Sequence, residues 1–178
     1  MNFLQSLFQS NAQPTTPPTI GEAFNIWTYY VAVKESRTLT QMMLNHTNDT
    51  EQKQLIEHFI NEILEPQIKQ VTDFLRNEGI PMPPGTGDKP KANEQQIPPG
   101  AKMTDDEIAN MVLLKTIGLL SLCHIGLAQG LRDDIGSMFF NFQAHVLAHS
   151  YNLKKTMQKR GWMLIPPFYY ASHGVPHS

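Results

Sequence analysis

Gly79-Ile80-Pro81-Met82-Pro83-Pro84 is a helix-ending stretch, and a similar one, Gly161-Trp162-Met163-Leu164-Ile165-Pro166-Pro167, lies further along the chain. Glycine adopts the left-handed conformation that follows many helix C-termini, and the prolines after it cannot extend a helix. Each stretch closes a long segment with helical character. The two endings therefore predict two similar helical hairpins in one chain.

Four segments carry the apolar periodicity of amphipathic helices, at about residues 19–46, 50–78, 104–131 and 134–160. Thr19 with Glu22, and Thr104 with Glu107, have the spacing of N-terminal capping boxes. Pro66 lies inside the second segment and removes a helical hydrogen bond there, so we predict a kink just before it unless the helix is split.

Residues 80–103, between the hairpins, are rich in proline, glycine and polar residues, which predicts a loop. A helix of about 28 residues is roughly 42 Å long, and about 24 extended residues reach past that length. This loop can therefore cross the bundle from end to end. Two short turns around a long crossover predict an all-α, ferritin-like four-helix bundle in which helices two and three are parallel. The bundle would occupy residues 19–161, after a lead at 1–18 and before an aromatic, proline-rich tail at 162–178.

The composition favours one globular domain, because 178 residues with 40% hydrophobic content suffice for a real core. The formal charge of −2 provides no basic field for phosphates, so we expect no nucleic-acid partner. Charged residues make up 17% of the chain, below the usual quarter. This shortage indicates that a partner covers part of the surface.

The sequence predicts a cytoplasmic origin, because the first residues lack the basic start and apolar core of a signal peptide. Residues 108–127 are long and apolar enough to resemble a membrane span. Asn110, Lys115 and His124 interrupt that segment, and no second span accompanies it. We therefore expect a buried bundle helix and no membrane association.

The sequence contains none of the common catalytic motifs: no Walker loop, dinucleotide fingerprint, zinc-spaced cysteine set or nucleophile elbow. Cys123, the single cysteine, has apolar neighbours and is predicted to be a buried thiol. The adjacent His124 cannot pair with it, because consecutive helical residues point about 100° apart. An enzymatic role stays open, but the sequence favours a non-enzymatic protein with no catalytic residue and no cofactor.

A metal site is the alternative hypothesis, since ferritin-like bundles often hold metal ions between Glu-x-x-His pairs. This chain has no intact Glu-x-x-His on the expected helices. It has His58 and Glu62 on helix two and His145 and His149 on helix four, each pair on one helix face. These four residues could bind zinc or iron, with Glu35 and His124 as further candidates. The competing interpretation is that they are surface or interface residues of ordinary helices.

The tail that follows the last helix is aromatic, with Trp162, Phe168, Tyr169 and Tyr170. The favoured interpretation is that it folds back and covers apolar surface at the end of the bundle. The other interpretation is an exposed segment that docks onto a neighbouring protein.

Four further motifs stand at helix ends and turns: Gly21-Glu22-Ala23-Phe24-Asn25-Ile26-Trp27, Ile97-Pro98-Pro99-Gly100-Ala101, Arg132-Asp133-Asp134-Ile135, and Gly161-Trp162 with Pro166-Pro167. Together they resemble a family of spore-coat-like proteins of spore-forming bacteria, over about residues 18–168. The resemblance implies a ferritin-like bundle, here in single-module form, and a spore-associated or stress-associated structural role. It carries over no catalytic or metal-binding residue.

The leading hypothesis is therefore a non-enzymatic structural protein that associates with itself, as a homo-oligomer, or with other spore coat proteins. The alternative is a ferritin-like metal-binding or redox protein with a His/Glu site inside the bundle.

Overall fold

Five α-helical segments build the bundle in the computed structural model, which describes residues 16–169. They are α1 (Ile20–Leu44), α2 (Thr50–His58), α3 (Glu65–Asn77), α4 (Asp105–Gln129) and α5 (Asp133–Arg160). A π-helical segment, Phe59–Leu64, joins α2 and α3 into one continuous rod, so the bundle has four helical rods. The described residues contain no strand, and the predicted all-α, four-helix architecture is confirmed.

Capping side chains decide where the helices begin. Thr19 Oγ1 accepts a hydrogen bond from the Glu22 backbone N–H at 3.2 Å, and the Glu22 carboxylate accepts one from the Thr19 N–H at 2.9 Å. Thr104 and Glu107 form the same reciprocal pair at the start of α4. Both predicted capping boxes are confirmed, and they satisfy backbone donors that the first helical turn leaves unpaired.

The second rod changes its hydrogen bonding just before Pro66. The Glu65 backbone N–H donates to the Ile60 carbonyl, five residues earlier, instead of to the residue four back. Proline has no N–H, and its ring collides with the carbonyl four residues before it, so a wider π turn relieves the conflict. The helix does not split at Pro66.

Contacts at the two ends of the bundle establish the direction of each rod. At one end, the Gln52 side chain donates to the Asp105 carbonyl at 2.8 Å, which places the start of α4 beside the start of α2. At the opposite end, the Glu22 carboxylate accepts from the Leu131 N–H at 2.7 Å, just beyond α4. The second rod and α4 are therefore parallel, and residues 78–104 cross the length of the bundle between them.

The core is filled by large side chains from all four rods. Tyr29 stacks on Phe142 with ring centroids 5.2 Å apart and donates its hydroxyl to Gln67 Oε1 at 2.7 Å. Gly126 allows α4 to approach α5, because a Cβ there would lie 2.4 Å from the Phe139 ring. Any side chain at this position would force the two helices apart.

Both helix-ending stretches form the same hydrogen-bonded closure. Gly79 and Gly161 have φ angles of 69° and 72°, in the left-handed region. The residue after each glycine donates back to the carbonyl five positions earlier, Ile80 to Leu75 at 2.8 Å and Trp162 to Met157 at 2.9 Å. These are Schellman motifs, in which glycine is favoured because it has no Cβ.

A buried carboxylate ties the start of α1 to the turn between α4 and α5. Glu22 is 1% exposed and accepts hydrogen bonds from the Leu131 and Arg132 backbone N–H groups at 2.7 and 2.8 Å. Burial opposes its ionisation, but the N–H donors of Arg132, Thr19 and Leu131 outweigh burial and hold the pKa of Glu22 below its ordinary value. Two of the motifs that carry the family resemblance, residues 21–27 and 132–135, thus meet in space.

The crossover is bound along the outer side of α1. Its contacts are Trp27 Nε1 to the Pro81 carbonyl, Thr86 Oγ1 to Glu35, the Lys89 N–H to Gln41, the Ala92 N–H to Asn45, and an Arg37–Asp88 ion pair. Side chains at intervals along α1 therefore hold this proline-rich segment in an ordered path without secondary-structure pairing.

Candidate functional site

The structure does not bring the six predicted metal-ligand candidates together. His149 on α5 is 2% exposed. The other five side chains are exposed, and they are His58, Glu62, His145, Glu35 and His124. Within residues 16–169, no group of three or more His, Cys, Asp or Glu side chains is placed to hold a metal ion.

His149 is nevertheless unusual for a core residue. Its ring lies parallel to the Phe59 ring, with centroids 4.1 Å apart, and neither ring nitrogen has a hydrogen-bond partner among the described residues. Burial, together with the smaller effect of the nearby His58, lowers the pKa of His149 to about 4. The imidazole is therefore neutral at pH 7, and each unpaired nitrogen costs on the order of 1–3 kcal/mol.

Cys123 is confirmed as a buried thiol. It is fully buried in the core, and burial raises its pKa to about 12. Its thiol forms a hydrogen bond with the Tyr29 hydroxyl, and burial raises the pKa of Tyr29 as well. A thiol that stays protonated is a weak nucleophile, so Cys123 acts as a packing residue.

One face of α4 exposes large apolar side chains. Leu114 is 60% exposed and Ile117 is 50% exposed, and Met111 and Ile125 lie on the same face. We call these four residues the α4 stripe. Surface helices of globular proteins normally carry polar residues on the solvent side, so the stripe is the candidate interaction surface of the described residues.

A groove of about 510 Å³ runs beside the stripe between α1 and α4. The α1–α4 groove is formed by Ala32, Ser36, Leu114, Ile117, Gly118 and Leu122. A Cβ at Gly118 would meet no atom within 4 Å, so this position is an open notch in the groove. Glu35 and Lys115 stand at the rim and are its charged members. The groove is therefore suited to apolar groups more than to a charged small molecule.

A second concavity, of about 600 Å³, lies at the bundle end where the crossover meets α4. Two of its polar side chains already serve local structure: Asp105 accepts from the Asn48 N–H at 3.2 Å, and His46 Nδ1 accepts from the Met103 N–H at 3.2 Å. This concavity is best explained by turn and cap formation.

The tail divides into a packed part and an exposed part. Trp162 and Met163 pack against the core, and Asn110 Nδ2 donates to the Trp162 carbonyl at 2.9 Å. The apolar side chains of the next residues are exposed: Leu164, Ile165, Phe168 and Tyr169. The covering interpretation thus describes the first two tail residues, and residues 164–169 fit the docking interpretation. Residues 170–178 of the tail and 1–15 of the lead lie outside the described part.

α4 is long and apolar enough to resemble a membrane-spanning helix. Within residues 99–129, the helix contains a window of mean hydropathy 1.8, of which 28% is buried. One such helix is weak evidence for a membrane span, because a core helix of a water-soluble protein satisfies the same criterion.

Comparison with known proteins places the chain in a family. A family model described as "Protein of unknown function (DUF3231)" matches residues 8–175. An uncharacterized protein of Bacillus subtilis strain 168, YvdQ, is 31% identical over 157 residues, which cover 88% of this chain and 92% of YvdQ.

Two solved structures share the fold. A protein from Bacillus halodurans C-125, described as "a putative spore coat protein", has a TM-score of 0.84 and 28% identity over 88% of this chain and 98% of its own. A two-domain protein from Anabaena variabilis with DJ-1/ThiJ/PfpI-like and ferritin-like domains has a TM-score of 0.62 and 12% identity. That match covers 86% of this chain and 41% of the Anabaena protein, and at this identity it shows the fold alone. The ferritin-like fold and the resemblance to spore-coat-like proteins are confirmed.

Proposed function

We propose that this chain, which belongs to the DUF3231 family, is a non-enzymatic structural protein of the spore coat type that acts by associating with itself. The similarity to the Bacillus halodurans protein supports the coat-like role and an association with the spore. The observation that carries self-association is the exposed α4 stripe.

The stripe exposes four large apolar side chains to water. Its members are separated by three, three and eight residues along α4, so they lie on one face of the helix. Isolated exposed apolar residues are common, but contiguous patches of several hundred Å² mark interaction sites. A neighbouring molecule would remove this face from water and offset the cost of exposing it.

Light scattering after size exclusion tests the proposal. The full chain should elute as a species heavier than the 20.2 kDa monomer. The double variant Leu114→Glu/Ile117→Glu places two charges on the stripe and should be monomeric, because burying unpaired charge is costly. Leu147→Glu on α5 is the matched control, since Leu147 is 52% exposed on another helix, and its mass should equal that of the wild type. A wild-type chain that stays monomeric at high concentration would contradict self-association.

A metal-binding or redox role is the second candidate, and His149 is the observation that favours it. A bound ion would satisfy a nitrogen that has no partner among residues 16–169. His58 is the predicted ligand whose charge acts on His149, whereas the exposed positions of His58, Glu62 and His145 argue against a four-residue site. Elemental analysis of untagged protein, with His149→Ala as the comparison, tests this role. Less than one metal ion per chain in the wild type would contradict it.

A further inference from the structure

The chain exposes both an apolar segment and an apolar groove. We infer that residues 164–169 of one copy, here called the tail segment, bind in the α1–α4 groove of a second copy. This inference rests on the proposed self-association and names the two surfaces that make the contact.

The tail segment consists mainly of exposed apolar side chains, so its contacts with a partner would be apolar. Leu164 is 84% exposed and Phe168 is 74% exposed. Residues 161–178 contain no Asp, Glu, Lys or Arg, so ion pairs cannot direct this part of the chain. Pro166 and Pro167 restrict the backbone to an extended conformation, which reduces the conformational entropy that is lost on binding.

The groove provides matching surface. Leu114, Ile117 and Leu122 present aliphatic side chains, and the open notch at Gly118 leaves room for a ring or a backbone to approach. Its volume of about 510 Å³ lies within the range of sites that enclose several apolar groups. Apolar area that is buried on both sides of such a contact stabilises the complex.

The two surfaces also agree in length. Six residues in the polyproline conformation, at about 3.1 Å per residue, extend roughly 19 Å. The α4 stripe spans fourteen helical steps from Met111 to Ile125, or roughly 21 Å at about 1.5 Å per residue. The tail segment is therefore long enough to cover most of the stripe.

The root of the tail lies at one end of the groove. Asn110, which holds the Trp162 carbonyl, is four residues before Leu114 and on the same face of α4. In the single chain, however, both the tail segment and the stripe are exposed. Two copies that face each other groove to groove would each bring a tail to the groove of the other. Such a reciprocal exchange gives a closed, twofold dimer.

A complementation experiment tests this contact. One variant ends at Met163 and keeps the groove, and the other carries Leu114→Glu/Ile117→Glu and keeps the tail. Each should be monomeric alone by light scattering. Mixed in equal amounts they should form a one-to-one complex, because one supplies the groove and the other the tail. Labelling the tail-bearing variant allows fluorescence anisotropy to measure this binding, which should be at least tenfold tighter than the binding of either variant to itself.

Three results would overturn the inference. A chain ending at Met163 that associates like the wild type would show that α4 packs on another surface. Two monomeric variants that do not combine would show that the tail segment does not bind in the groove. A variant without residues 2–15, which include Phe3, Leu4, Leu7 and Phe8, should associate normally, and its failure to do so would identify the lead as the occupant.

The same series separates this inference from the proposed function. If the wild type is monomeric, self-association itself is wrong. If the wild type associates and removal of the tail changes nothing, self-association stands and the tail contact is wrong. Circular dichroism of each variant excludes unfolding as the cause of a lost complex.

Discussion

The two closures end their helices with the same hydrogen bonds, yet the chain that follows them behaves differently. After Gly79, residues 80–103 lie along α1 and are held by side-chain hydrogen bonds and an ion pair. After Gly161, two residues pack on the core and the tail segment stands exposed. Helix-ending residues therefore decide where a helix stops, and the polarity of the residues that follow decides what those residues can contact.

Polar partners are available to the crossover and not to the tail segment. Thr86, Asp88 and the Lys89 N–H find Glu35, Arg37 and Gln41 on α1, at intervals that follow the helix. Residues 164–169 contribute apolar side chains and two prolines, which have no N–H to donate. Binding of such an apolar segment lowers the free energy only where it covers other exposed apolar surface, and the α4 stripe is such a surface.

Acidification is expected to have the largest effect on the free energy of unfolding, because it destabilises the core that contacts both the crossover and the tail. The pKa of His149 is about 4 in the folded state, against 6.5 in an ordinary setting. The unfolded chain therefore binds a proton as pH falls below about 6.5, and the folded chain does not until about pH 4. The free energy of unfolding should fall by about 3 kcal/mol across that window.

Urea denaturation at pH 7 and pH 5 measures this dependence. His149→Phe preserves a ring beside Phe59 and should flatten the response between these two values. His145→Gln, at an exposed position on the same helix, should leave it unchanged. A wild type whose stability is constant from pH 7 to pH 5 would refute the assignment of a neutral His149.

Trp162→Ala should have the next largest effect on the free energy of unfolding. It should show where the packed part of the tail ends and the exposed part begins. Trp162 packs on the core and lies near Arg160, whose guanidinium carbon is 5.9 Å from the ring centroid. Its loss should reduce the free energy of unfolding by about 2 kcal/mol. Phe168→Ala is the matched aromatic control and should change it by less than about 0.5 kcal/mol. Equal losses in thermal or urea denaturation would mean that the tail segment is packed after all.

Substitution of Gly79 and of Gly161 measures how much each closure contributes to stability. Gly79→Ala and Gly161→Ala should each cost about 1.5 kcal/mol, because both glycines have positive φ angles and no nearby atoms. The costs should agree even though the following segments differ, since the strain is local. Gly87→Ala in the crossover has open space and no positive φ, and it should cost less than about 0.5 kcal/mol. A clear inequality between the first two would show that the following segments contribute to the closures.

Arg37→Ala should have the smallest effect and should weaken the attachment of the crossover. The Arg37 side chain is 15% exposed and pairs with both Glu65 and Asp88. Because these partners are partly exposed, the loss should be at most about 1 kcal/mol. The guanidinium also holds the pKa of Asp88 below its ordinary value, so that pKa should rise in the variant.

A titration of Asp88 by nuclear magnetic resonance checks the change in its pKa. Lys69→Ala is the control, because the Lys69–Asp73 pair lies on the surface of α3, away from the crossover. It should leave the pKa of Asp88 unchanged. An unchanged pKa in Arg37→Ala would argue against the Arg37–Asp88 contact.

Features that depend on near neighbours in the chain could be predicted. The capping boxes at Thr19 and Thr104, and the closures at Gly79 and Gly161, are formed within a few residues of sequence. The ferritin-like topology also followed, because a crossover long enough to span the bundle leaves helices two and three parallel.

The metal hypothesis shows where such reasoning stops. Spacing by four places His145 and His149 on one helix face, but it does not give the rotation of that helix relative to its neighbours. In the fold, His149 points inward onto Phe59 while His58, Glu62 and His145 remain exposed. Glu22 is a second example, since its capping partner could be predicted and its bonds to Leu131 and Arg132 could not.

The bounds, number and connections of the helices could be predicted from the chain alone, because those properties depend on backbone bonds and side chains a few residues apart. The apolar residues that are covered depend instead on the tertiary packing. Residues of α4 are apolar on several faces, so periodicity could not show that Leu114 and Ile117 remain exposed. Burial is decided by the packing of all four rods together, and that arrangement leaves this protein with an apolar groove and an exposed apolar tail.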